Sequence, residues 1–276
     1  MKGYVDSKKE FLKQLAKVKN NITLCIIQVG DNPASNSYIK GKLADCHEVG
    51  INPDLVRLED TVSTEYLVNF IHVLNRSESI TGIIVQLPLP SHIDVKQIQR
   101  AISPEKDVDG FHPMSNFPPC TPKGVIRYLT DNGCKFEGKK ALVIGRSDIV
   151  GKPLAQMLTD LNCTVTLAHS KTSQEDLLHY IENSDIVFTA IDKIEYYGME
   201  YAPYFEKVQT IIDIGLGKSE QGKLKGNLSS ELVDHLNKCG NFVVSGIGGV
   251  GLLTRLQLLT NTVNAQIAYK GHKSSK

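Results

Sequence analysis

The strongest constraint on this chain is an alternation. Short runs rich in β-branched residues recur along it, separated by longer amphipathic stretches. The runs TLCIIQVG, LVRLE, GIIVQL, ALVIG, TVTLAH, DIVFTA, TIIDIGL and NFVVSG read as strands, each bounded by turn residues. Between them SNSYIKGKLADCHEVG, EYLVNFIHVLN, GVIRYLTDNG, PLAQMLTDLN, QEDLLHYIENS and SSELVDHLNKC carry helical periodicity, and LLTRLQLLTNTVNAQIAYK is a last long helix. A strand followed by a covering helix, repeated, is the pattern of an α/β chain with parallel sheets. The polar ending GHKSSK is expected to fray.

The segment HPMSNFPPCTPKG interrupts the alternation. Pro113, Pro118, Pro119 and Pro122 resist helix and central strand alike, so a domain junction belongs there. With 276 residues, each half can bury a core of its own. The first half then holds three strand–helix units and the second about five strands. Periodicity leaves open which half the final helix joins.

Charge and composition narrow the partners. Lys and Arg number 31 against 30 Asp and Glu, a net charge of +1, which lacks the electrostatic footprint of a nucleic-acid binder. The opening MKGYVDSKKEFLKQL has no apolar core, and no run is long enough to span a bilayer, so a cytoplasmic chain acting on a small molecule is expected. Cys25, Cys46, Cys120, Cys134, Cys163 and Cys239 show no C-x-x-C spacing, which points to reduced thiols and to neither a disulfide framework nor a metal site.

The stretch ALVIGRSDIVGKPLAQML reads strand, glycine turn, helix. Gly145 fills the first place of a dinucleotide fingerprint, Ser147 stands at the third, and Gly151 comes one residue late. A longer turn can still aim the N–H groups of a helix start at a phosphate, and Pro153 suits the first turn of that helix. The next strand ends in His169, Ser170, Lys171 and Thr172, without the acid that binds a ribose 2′-hydroxyl in NAD enzymes. Arg146 with Ser170 or Lys171 could instead hold a 2′-phosphate, which favours NADP while leaving NAD possible.

The first half carries other chemistry. Tyr38 and Lys42 lie four residues apart on one helical face. Such a Y-x-x-x-K pair also serves short-chain dehydrogenases, but there it follows the glycine loop, whereas here it precedes it by about a hundred residues. Gln86 ends a buried-looking strand, at the edge where open α/β sheets bind ligands. Asp107 and Asp109 share a loop without the His or Glu spacing of a metal site.

In order along residues 23 to 265, VGDNPASNSYIKGK, GIIVQLPLP, PEKDVDGFHP, PCTPKGV, VIGRSDIVGKP and IDIG resemble the bifunctional methylenetetrahydrofolate dehydrogenase/cyclohydrolases, the FolD family. The resemblance implies a two-domain α/β fold: residues 1–120 form a substrate domain, 121–251 a Rossmann-like NADP-binding domain, and 252–276 return to the first domain. It further implies a cleft where the domains meet, a homodimer, and a tetrahydrofolate derivative as substrate. By the same resemblance Lys42 is the catalytic lysine, Tyr38 stacks on and orients the folate, and Gln86 positions and tunes the lysine. Asp109 binds the pterin and Asp107 supports its loop. Gly145, Arg146, Ser147, Ile149, Val150, Gly151 and Ser170 match the cofactor positions, and Gly248 and Gly249 approach the substrate.

The chain departs from the family pattern at several places. VSGIGGVGLLT replaces TPVPGGVGPMT, with Ser245, Ile247 and Leu252 where prolines are usual. Asn227 replaces the aspartate of GDV, TAIDKIE stands for ATGxP, the loop between DGFHP and PCTP is shortened, and the N-terminal helix is expected to be short. Besides the bifunctional folate enzyme, two other readings are a short-chain-type oxidoreductase on another substrate and a folate- or nucleotide-binding protein without turnover.

Overall fold

The computed structural model describes residues 1–273 of the chain. Residues 274–276, the end of the polar tail expected to fray, lie outside the described residues. The chain divides into two compact units, one formed by Gly3–Cys120 with the chain from Arg255 onward, the other by Thr121–Thr254 with the first two residues.

The first unit opens with α1 (Lys2–Lys19), then β1 (Thr23–Val29), α2 (Pro33–Val49), β2 (Asn52–Leu58), α3 (Thr64–Arg76), β3 (Gly82–Val85) and α4 (Val95–Ala101). The helix α1 runs for eighteen residues, so the expectation of a short helix is corrected. Its apolar positions Val5, Leu12 and Ala16 are buried at helical spacing, and Asn20 and Asn21 end it with positive φ. The strands form a parallel sheet in the order β2-β1-β3, with Ile26 level with Ile84. Cys25, Ile27, Val29, Ile83 and Val85 pack with Leu67 and Ile71 of α3 and Ile98 of α4 into one core. The short α4 is absent from the periodicity reading because its seven residues bury a single apolar side chain, Ile98.

The second unit begins with α5 (Cys120–Asp131), in which Pro122 falls in the first turn, where its missing N–H costs nothing. It continues through β4 (Lys140–Ile144), α6 (Gly151–Asp160), β5 (Thr164–Ala168), α7 (Gln174–Glu182) and β6 (Ile186–Thr189). Next come α8 (Ala202–Phe205), β7 (Thr210–Asp213), β8 (Leu216–Lys218), β9 (Leu224–Gly226), α9 (Ser230–Lys238) and β10 (Phe242–Val244). Five parallel strands lie in the order β10-β7-β6-β4-β5, while β8 and β9 form a small antiparallel hairpin that the alternation does not reveal. Leu142, Val187 and Ile211 of the sheet pack with Leu177, Phe205, Leu232 and Leu236 from its helices.

The last helix, α10 (Gly251–Lys273), starts in the second unit and continues in the first. The amide of Asn261 donates to Val108 O (2.9 Å) and Pro118 O (3.1 Å). Gln266 accepts from the Thr81 hydroxyl (3.1 Å) and donates to Asn20 O (3.3 Å). At Asp45 three helices meet: Lys9 of α1 lies 2.6 Å from one oxygen and Arg255 of α10 lies 2.9 Å from the other. Burial works against the charge of Lys9, but its bonds to Asp45 and Glu48 outweigh it and raise its pKa. Among the described residues, no helix is long and apolar enough to cross a membrane. Four of the six free thiols are buried, Cys134 is half-buried and Cys239 is exposed.

Candidate active site

In the first unit, the sheet brings together residues that the chain keeps apart. The β3 ladder continues one step beyond the strand, with Gln86 N–H donating to Ile27 O (2.8 Å). This fixes the Gln86 backbone at the carboxyl edge, before the cis Leu87–Pro88 bond. Its side-chain nitrogen donates to Leu87 O (2.6 Å), leaving Oε1 to accept from Lys42 Nζ at 3.0 Å. The glutamine therefore presents its oxygen, and only its oxygen, to the half-buried lysine. Tyr38, one turn earlier on α2, is 39% exposed.

The Asp107–Asp109 loop lies against the same strand. Asp107 bridges to Ile83 and is buried, its Oδ2 accepting from His112 N–H (2.7 Å). Burial raises its pKa, against the His112 bond and helped by the charge of Asp109. Asp109 is half-buried and shares an apolar hollow with Val85, Leu87, Ile98 and Phe111. The buried Cys120 thiol, driven well up by desolvation, is raised further by Asp109 and lowered by Lys42, so both charges act at one place. No motif in the sequence marks Cys120 or Asn261, whose amide lies 3.5 Å from the Cys120 sulfur.

In the second unit the order of strands reverses at β4, flanked by β5 on one side and β6 on the other, and ligands bind outside the carboxyl ends at such a switch point. Gly145 follows β4 with φ +126°, and a Cβ there would meet Ala190 O at 2.1 Å. A Cβ on Gly151 would meet Gly145 O at 2.0 Å. Only glycine permits this close crossing of loop, helix start and β6. Ser147, though exposed, folds back on the helix start: its Oγ accepts from the N–H groups of Val150 (3.2 Å) and Gly151 (3.3 Å), and its carbonyl from Lys152 (3.1 Å). These first-turn amides bond to Ser147. The helix dipole and the exposed Arg146 remain for an anion. Ile144 is level with Ala168, so Arg146 and Ser170 each lie two residues beyond paired strand ends. Ser170 and Lys171 are exposed in a turn closed by Thr172 N–H to His169 O (2.8 Å), while Ile149 and Val150 are half-buried. These features fit a dinucleotide.

Gly248 and Gly249 follow β10 on the carboxyl edge of the same unit. Gly248 has φ +68°, and a Cβ on neighbouring Gly246 would meet Asp213 O at 2.8 Å. Asp213 itself, at the end of β7, is buried. It accepts from the Thr189 hydroxyl (2.9 Å), Asn227 N–H (2.9 Å) and Leu228 N–H (3.2 Å). The side chain of Asn227 mimics a backbone strand: Oδ1 accepts from Ile191 N–H (3.1 Å), and Nδ2 donates to Ile191 O (2.9 Å) and Lys193 O (2.5 Å). The two departures from the family pattern, Asn227 and TAIDKIE, are thus bonded to each other.

Comparison with known proteins decides the family. The model described as tetrahydrofolate dehydrogenase/cyclohydrolase, catalytic domain, matches residues 3–109, and the corresponding NAD(P)-binding domain matches residues 119–270. The chain belongs to the tetrahydrofolate dehydrogenase/cyclohydrolase family. A bifunctional protein FolD from Brevibacillus brevis is 40% identical over 251 residues, covering 88% of this chain and 86% of that relative. The crystal structure of the bifunctional FolD dehydrogenase/cyclohydrolase from Campylobacter jejuni superposes with a TM-score of 0.88 at 34% identity, covering 97% of both chains. The FolD enzyme of Trypanosoma brucei, solved with NADP and an inhibitor, gives 0.85 at 27% identity over 97% of this chain and 96% of that one. Family membership places the NAD(P)-binding domain of this enzyme in the unit that carries Gly145. The Y-x-x-x-K pair lies in the other unit, so the short-chain-type reading is set aside.

Proposed function

We propose that the protein oxidises 5,10-methylenetetrahydrofolate to the 5,10-methenyl compound with NADP⁺ and hydrolyses that product to 10-formyltetrahydrofolate. The observation that carries this reading is the Lys42–Gln86 contact at 3.0 Å, with Gln86 locked by Leu87 O. Bound nicotinamide supplies the hydride acceptor, and Gly145, Gly151, Arg146 and Ser170 would hold the dinucleotide. Tyr38 presents its ring to the folate, and Asp109 accepts hydrogen bonds from the pterin. Positive charge grows on the bridge carbon as hydride leaves, so the first step asks chiefly for position. The second step needs proton transfer from the attacking water. Lys42, fixed by its 3.0 Å contact with Gln86, is the group this reading assigns to take that proton. Gln86, offering only an acceptor, orients the amine without competing as a base.

The test follows nicotinamide reduction and methenyl formation in parallel with NADP⁺ and NAD⁺. Turnover with NADP⁺ supports the reading, while silence with both cofactors in the folded protein overturns it and returns weight to binding without turnover. Lys42→Met is expected to slow methenyl hydrolysis by about a hundredfold or more, the range of a lost proton-transfer group, with cofactor affinity kept. Unchanged hydrolysis would remove the role given to Lys42. Arg146→Ala should raise the KM for NADP⁺ about tenfold or more and leave that for NAD⁺ nearly unchanged, as expected for a charge-assisted bond to the 2′-phosphate. A homodimer in a reducing, cytoplasmic setting belongs to the same reading, and sedimentation velocity checks the dimer.

A further inference from the structure

Glu206, His235 and Cys239 place a carboxylate oxygen, an imidazole nitrogen and a sulfur within 4.8 Å of one another. His235 Nε2 lies 2.5 Å from Glu206 Oε1 and 3.5 Å from Cys239 Sγ. None of the three belongs to the active site. They sit just before β7 and β10 in sequence, at the amino edge of a sheet whose strands all run parallel, and the Gly145 loop leaves its carboxyl edge.

We propose that these three side chains form a binding site for a thiophilic divalent transition cation, Zn²⁺ or Co²⁺, with water completing the coordination. The donor set decides the class: thiolate and imidazole suit borderline-soft ions and disfavour Mg²⁺ and Ca²⁺, which take oxygen ligands. Geometry supports it independently. His235 and Cys239 are one turn apart along α9 and its C-terminal cap, on the same face. Glu206 caps the end of α8, and the stretch that carries it is fastened to the chain beyond Cys239 by one side chain. The amide of Asn241 donates to Phe205 O (3.3 Å), Glu206 O (3.2 Å) and Val208 O (2.6 Å), while its own N–H donates to Leu236 O (3.1 Å). Phe205, Leu232 and Leu236 anchor both elements in the core of the unit. The three donors therefore project from backbone that is already fixed, the condition for a site that does not spend binding energy on ordering. On binding, Cys239 releases its thiol proton to solvent and ligates as thiolate, while His235 ligates through an unprotonated Nε2 with its ring proton on Nδ1, any second ring proton also passing to solvent.

The experiment titrates the full-length, chelator-stripped protein with Co²⁺. Saturation at one equivalent, with a near-ultraviolet thiolate-to-cobalt band and the visible bands of tetrahedral cobalt, is the expected result, and Zn²⁺ should abolish the bands. Cys239→Ser should lose the charge-transfer band, and Glu206→Gln should weaken binding about tenfold or more, as for other perturbed ligand sets. Cys134→Ser, which alters the half-buried thiol, should keep the band. Zn²⁺ should raise the melting temperature of the wild-type protein and leave that of Cys239→Ser unmoved, because binding to the folded state alone stabilises it. Absence of the band in the wild type, or its persistence in Cys239→Ser, overturns the proposal.

Discussion

Burial pushes the pKa of the Asp213 carboxyl up to about 6 from its ordinary 3.8, against the bonds from Asn227, Thr189 and Leu228 that favour the charge. The folded state thus keeps a proton that the unfolded chain has released at the same pH. That contribution is complete below about 4 and is lost as the pH rises through about 6, a change of about 3 kcal/mol. Urea midpoints at pH 5 and pH 8 are therefore expected to differ less in Asp213→Asn than in the wild type, whatever constant penalty the substitution adds. Its neighbour Asn227 is 1% exposed, and Asn227→Asp would turn an oxygen toward the carbonyls of Ile191 and Lys193 and set a second acid beside Asp213. Leaving buried acceptors unpaired costs about 1–3 kcal/mol each, so this variant should melt earlier and bind cofactor more weakly. Equal melting temperatures would show that the amide does not fasten the loop. The residue types at these positions are plain in the sequence, but the pairing is not. Asn227 meets Ile191 across 36 positions, and Lys42 meets Gln86 across 44, distances that only the folded sheets close.

At the scale of elements, the parallel strands were legible because each is a compact β-branched run: TLCIIQV, GIIV, IVFT and TIID are buried along almost their whole length. The pair β8 and β9 was not, since LGK and LKG are three residues each, too short for an alternating pattern. Length misled at α1 as well, where lysines on the outer face obscure the buried stripe of Val5, Leu12 and Ala16. The junction of β4 with α6 rests on Gly145. In Gly145→Ala the new methyl would stand 2.1 Å from Ala190 O, on backbone at φ +126° that side chains rarely adopt. Neither a rotamer change nor a flexible neighbour relieves that contact. Loss of measurable NADP⁺ binding by calorimetry is expected, and binding at wild-type affinity would mean that the turn can open without cost.

Across the whole molecule, the hydrogen bonds of Asn261 and Gln266 make α10 from Arg255 onward part of the first unit although the second unit separates them in sequence. Residues 121–254 expressed alone are expected to fold cooperatively, whereas residues 3–120 alone should not, because Val108 O and Pro118 O lose the Asn261 amide and the Asp45 carboxylate keeps Lys9 but loses Arg255. Cooperative melting of the 3–120 fragment would contradict this. Segregation into two units was legible from the prolines near residue 120, but periodicity could not say where the last helix goes, since an amphipathic helix suits either sheet. A ribosome makes this chain from its amino end, and domains generally fold as they emerge. Here the first three strands appear early yet wait for the final helix, so the middle of the chain is ready before the beginning. Until that helix is made, the carbonyls of Val108 and Pro118 lack the Asn261 amide and the Asp45 carboxylate lacks Arg255.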